Sequence, residues 1–101
     1  NQGYLQITKK IFQSKEIPLD LKLQHYREIT ANRNFYRENY FQIRDLAATL
    51  RVEYPADYEV LEHYAETLIA WGDVEEAATL FKSYLSDTIT DIKPYENVPD
   101  L

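Results

Sequence analysis

Glu59, His63 and Glu66 stand at i, i+4 and i+7, which puts them on one face of the segment if it is helical. Two carboxylates and an imidazole at that spacing could ligate a divalent metal. The same pattern also describes a hydrated polar face. The other histidine, His25, lies in a different part of the chain, and there is no Glu-x-x-His pair of the kind that builds di-metal bundle sites. The hydrated face is therefore the simpler reading, and no metal or other cofactor is expected. Nucleophilic chemistry finds even less. Ser14, Ser83 and Ser86 are isolated, with no Gly-x-Ser-x-Gly elbow to strain and expose a hydroxyl. The chain has no Cys, which removes thiolate ligands, thiol nucleophiles and disulfides together. Gly3 and Gly72 are the only glycines, too few for a loop that cradles phosphates. With 17 acidic residues, some carboxylate pairs arise by chance, so their presence does not argue for sugar chemistry. No enzymatic activity is expected.

A basic set remains. Arg37, Arg44 and Arg51 follow a seven-residue step, with Tyr40 and Phe41 close by. Arginines interleaved with aromatics can read RNA or hold an acidic ligand. Here Glu38, Asp45 and Glu53 alternate with the arginines, and long basic side chains also flank buried helical stripes simply by reaching outward to water. The net charge of −6 repels a phosphate backbone. No nucleic-acid partner is expected.

The elements that hold these residues follow from composition and periodicity. A chain of 101 residues with 45% hydrophobic content fits one small globular domain or a slice of a longer array. Two glycines and four prolines are too few for the positive-φ turns of a sandwich, a barrel or a dinucleotide-binding sheet. Apolar runs such as Leu46–Leu50 are far too short to span a bilayer, so no membrane insertion is expected. The absence of Met predicts that Asn1 is not the native start and that the chain is a piece of a longer protein, whose own beginning could carry an export signal.

Apolar residues recur at three and four throughout, which predicts helices. Tyr4, Ile7, Thr8, Ile11 and Phe12 mark a first helix, with Gln6, Lys9 and Lys10 opposite. Pro18 stops the preceding turn and Asp20 is the expected N-cap of a second helix, whose apolar side carries Leu23, Tyr26 and Ile29/Thr30. Asn32-Arg33-Asn34 breaks it. Tyr36, Tyr40, Ile43, Ala47, Leu50 and Tyr54 form an uninterrupted stripe, predicting a single long third helix that Pro55 ends. Asp57 caps a fourth helix bearing Leu61, Tyr64, Ala65 and Leu68. Gly72 suits the left-handed position that closes it, and Asp73 with Glu76 has the spacing of a capping box. Val74, Ala77, Ala78, Phe81, Tyr84 and Leu85 then mark a fifth helix, and the residues from Thr90 to Leu101 form a tail or the start of another. Tyr58 and Tyr95 fall off the stripes and are candidate contact residues.

Leu61, Tyr64, Ala65 and Leu68, then Gly72-Asp73, then Ala77 and Phe81 follow one another at recognisable intervals. With this spacing Tyr58–Ile89 resembles a tetratricopeptide repeat, a helix-turn-helix of about 34 residues. The physics of the pattern is plain. Ala65 and Ala77 stand where two helices approach, so a larger side chain would wedge them apart, and Phe81 fills the groove that the alanines leave. Tyr84 replaces the family's usual Ala, and Ile89 its closing Pro. Ala47, Leu50 and Pro55 match a preceding, degenerate unit whose first helix lacks the signature. The resemblance implies an all-α fold of antiparallel hairpins stacked as a short right-handed solenoid. Its parts would be a leading helix over 1–16, a degenerate repeat over 19–55, a full repeat over 57–89, and a tail or next repeat over 90–101. The segment Ile17-Pro18-Leu19-Asp20-Leu21-Lys22 with these two units also looks like bacterial cell-envelope proteins of this type, which implies a periplasmic or envelope location, with a cytoplasmic one as the alternative.

Carried over by position, the inner groove of such a repeat would present Glu59, Glu62, Glu66, Ile69 and Ala70. The family's clamp for acidic C-terminal tails uses Lys and Asn on this face, and this chain has Glu. The resemblance thus implies a scaffold for protein–protein interaction that takes a basic or polar segment, guided by an attraction that salt weakens. A merely solvated helix face is the alternative for these residues. About three stacked units are needed to bury such hairpins, so the end helices are expected to expose apolar surface. A structural or oligomerising domain that stacks on another copy, or on the rest of its own chain, is the alternative function.

Overall fold

Pro18, Asn32, Asn39, Pro55 and Gly72 divide the computed structural model, which describes residues 2–90, into six helices with no strand among the described residues. They are α1 Gln2–Gln13, α2 Leu19–Ala31, α3 Arg33–Glu38, α4 Tyr40–Glu53, α5 Tyr58–Trp71 and α6 Val74–Thr90. The expected tail, apart from Thr90, and Tyr95 with it, lies outside the described residues.

The expected single third helix is two. Asn39 leaves the helical region at φ −124° and ψ 29°. Its side-chain Nδ2 donates to the Phe35 carbonyl, the acceptor that its own N–H also uses at 3.0 Å. Asparagine competes with the ladder in this way and bends a helix. Asn32, seven residues earlier, acts in the opposite sense, accepting from the Phe35 N–H at 3.0 Å to cap α3, so Arg33 and Asn34 already belong to α3. Asp20 is not the cap of α2. Pro18 occupies that position, and the Asp20 carboxylate accepts from the Leu21 N–H within the first turn. Asp57 does cap α5, accepting from the Val60 N–H at 3.0 Å. Gly72 has φ +108°, and the Gly72 and Asp73 amides return to the Ile69 and Leu68 carbonyls, a Schellman closure.

The buried face of α1 is also rotated from the expected one. Leu5, Thr8 and Phe12 are buried, whereas Ile7 is 63% exposed. α1 lies directly against α4, where Lys9 meets Asp45 at 2.9 Å. Its Phe12 also meets Tyr26 and His25 of α2, so the covered stripe is centred on Leu5, Thr8 and Phe12 and leaves Ile7 outside.

Two apolar clusters share α5. The first joins Leu5 and Phe12 of α1, Leu23, Tyr26 and Ile29 of α2, Ile43, Leu46, Ala47 and Leu50 of α4, and Val60 of α5. The second joins Leu61, Ala65 and Leu68 of α5 to Ala77 and Leu80 of α6, with Phe81 and Tyr84 packed on its edge and Tyr64 touching both. Each fully buried Leu, Ile or Phe contributes about 1.5–3 kcal/mol. The start of α2 meets the end of α4 where Lys22 Nζ donates to the Tyr54 hydroxyl at 2.7 Å. Lys22 is buried, and the Ser14 carbonyl accepts from the same ammonium at 2.7 Å. The start of α4 meets the end of α5 where Tyr40 stacks on Trp71. α4 is therefore antiparallel to both α2 and α5, and those two run in the same direction.

Candidate interaction groove between α2 and α5

Because α2 and α5 are parallel and α4 lies against α5 behind them, their outer sides leave a groove. Its floor is fixed by hydrogen bonds. Thr67 Oγ1 donates to the His63 carbonyl at 2.9 Å, so its single proton is committed and the buried Tyr26 hydroxyl donates to it. The Tyr36 hydroxyl, brought over by the break at Asn39, donates to the Thr67 carbonyl at 2.6 Å. Burial pushes the Tyr26 and Tyr36 phenols above their ordinary value, with the Asp73 carboxylate adding to the shift at Tyr36. Both therefore stay neutral donors at physiological pH.

The cavity above this floor holds about 330 Å³. Arg27, Thr30, Ala31 and Arg33 form one wall and His63, Glu66 and Ala70 the other. His63 Nδ1 lies 2.8 Å from the Glu59 carbonyl and must donate there, which leaves Nε2 to accept from Arg27 Nη1 at 3.4 Å. The same guanidinium approaches Glu59 Oε2 at 4.0 Å. The Glu59–His63–Glu66 set thus has its imidazole engaged by the backbone and by a cation. Among the described residues no group of three or more His, Cys, Asp or Glu side chains is placed to hold a metal.

The five residues expected to line the groove are all exposed, but they separate. Glu66 and Ala70 line the cavity, Glu59 sits at its edge against Arg27, and Glu62 and Ile69 do not line it. The acidic ridge is also faced by Arg27 and Arg33, which the expectation left out. A signal for Arg27 was available, because the positional argument applied to α5 could equally have been applied to α2; Arg33 opens α3, where the sequence reading placed only a break between helices. Of the signature residues, Leu61, Ala65, Leu68 and Ala77 are buried in the α5–α6 seam, and Tyr64 and Phe81 are half-buried at its edges.

The arginine series does not form a stripe. Arg44 Nη1 reaches Asp73 Oδ2 at 3.4 Å and lies over the rings of Tyr40 and Phe41. Arg51 bonds the Pro55 carbonyl, Ser83 and Asp87, tying α4 to α6. At the α4–α5 corner the Tyr40 and Trp71 rings stack at 4.1 Å and 5°. The Tyr40 hydroxyl donates to Asp73 Oδ2 at 2.8 Å, and burial, then this bond to a carboxylate, hold its phenol well above the ordinary value. No helix among the described residues is long and apolar enough to cross a membrane. No protein-family model, curated protein or solved structure matches the chain.

Proposed function

We propose that the chain is a non-catalytic interaction module of tetratricopeptide type, in which the α2–α5 groove holds a segment of a partner protein. Support comes from the close α5–α6 pair over Ala65 and Ala77, the parallel run of α2 and α5, and the all-helical build. The observation that carries the reading is the groove itself. Its floor is rigid because Tyr26, Tyr36 and Thr67 satisfy one another or the backbone, while its rim keeps ionic groups available for a ligand. Selection from a displayed library of random dodecapeptides tests it. Binders are expected, and Ala70→Trp, which fills the cavity from an exposed position, should weaken them at least tenfold, with Lys82→Ala on α6 as the silent control. Binders indifferent to Ala70→Trp would refute the groove.

The alternative of a stacking or oligomerising domain has its own observation. Ile7 on α1 and Val74 and Leu85 on α6 are each more than half exposed, as expected of end helices on whose outer faces no further described helix stacks. A mass that rises with concentration would favour it, and a strict monomer would count against it.

A further inference from the structure

We infer, resting on the groove reading above, that the groove's occupant is a polypeptide segment carrying an acidic and a basic side chain close together, the acid meeting Arg33 and the base meeting Glu66. Both residues line the same cavity. Neither forms an ion pair within 4.0 Å with the other or with any other described residue, whereas Arg27 is engaged by Glu59 and His63. The hydroxyl protons around the cavity are also committed: Thr30 donates to the Tyr26 and Arg27 carbonyls, Thr67 to the His63 carbonyl, and Tyr26 and Tyr36 to Thr67. The groove therefore offers one uncommitted cation and one uncommitted anion. A segment of a single sign satisfies one and is repelled by the other, while a segment of mixed sign satisfies both. The acidic ridge alone would have favoured a purely basic segment; Arg33, on the facing wall, changes that.

The same random dodecapeptide selection separates the two claims. Peptides blocked by Ala70→Trp should be enriched in sequences pairing Asp or Glu with Lys or Arg. In one such peptide, replacing the acid by its amide should weaken binding about two- to fivefold, as exposed ion pairs do. Arg33→Gln should abolish that difference, and Glu66→Gln should abolish the corresponding one for the base. Groove-bound peptides that are neutral or of one sign, or acid-to-amide changes that cost the same in Arg33→Gln, would overturn the inference and leave the groove standing. If no selected peptide is blocked by Ala70→Trp, the groove reading falls, and this inference with it.

Discussion

Tyr40→Phe isolates a single hydroxyl at the corner where α4, α5 and α6 meet. The ring remains, so its stack on Trp71 is kept; only the 2.8 Å bond to Asp73 Oδ2 is lost. Hydrogen bonds to charged groups contribute about 1.5–3 kcal/mol. Asp73 keeps Arg44 as a partner at 3.4 Å, and its side chain is 36% exposed, so water replaces part of the loss. We expect about 1–2 kcal/mol of destabilisation at pH 7. The effect should change with pH. In the folded chain burial and the Asp73 carboxylate raise the Tyr40 phenol above its ordinary value near 10. Above pH 10 the unfolded chain has lost this proton while the folded chain keeps it. Stability from this group is thus complete below pH 10 and declines above it, by about 1.4 kcal/mol per pH unit. Tyr26, Tyr36 and Tyr64 shift in the same direction, each mainly through burial, so the wild type should lose stability steeply in alkali. Tyr40→Phe lacks one of these groups, and its deficit relative to wild type should shrink as the pH rises from 9 to 11. Urea unfolding followed by fluorescence is the assay, since Trp71 is the only tryptophan and its ring lies on Tyr40. A deficit that stays constant across that range would refute the reasoning.

Gly72→Ala tests backbone conformation alone, because a Cβ built at Gly72 meets nothing within 4 Å while φ is +108°. It should cost about 1–2 kcal/mol, and Gly72→Asn clearly less, in denaturant melts; equal stability of Ala and Gly would show that the α5–α6 turn relaxes. Lys22 is buried against a carbonyl and a phenol. Lys22→Met should stay within about 1 kcal/mol of wild type, since the lost bonds are offset by the removal of a desolvated charge, whereas Lys22→Ala should lose about 2–4 kcal/mol. A large loss in Lys22→Met would mean that the ammonium stabilises the α2–α4 junction beyond its volume.

Local signals read well wherever one residue dictates one backbone event. Pro55 stops α4 through a missing donor, and Asp57 and Gly72 delimit α5 through a side-chain cap and a left-handed φ; none of these depends on distant residues. The stripe Leu23, Tyr26 and Ile29 is buried as its spacing requires. Asn39 was harder. Its neighbours continue the apolar period on both sides, and only the competition of its amide for the Phe35 carbonyl reveals the break. The lining of the α2–α5 cavity was half legible: the carry-over from α5 alone supplied Glu66 and Ala70 together with Glu62 and Ile69, which do not line it, and left out Arg27 and Arg33 on the facing wall.

The sequence by itself determined that this chain is helical, roughly where its helices end, and that it lacks the residue types for thiol, phosphate-loop or elbow-serine chemistry, because periodicity, capping and composition act over a few residues at most. Only the tertiary structure decided which charges face one another. Arg33 and Glu66 share a cavity, Arg44 meets Asp73 and Arg51 meets Asp87 because side chains far apart in the chain meet only once helix directions and rotations are set, and those are fixed by how the two apolar clusters fit together.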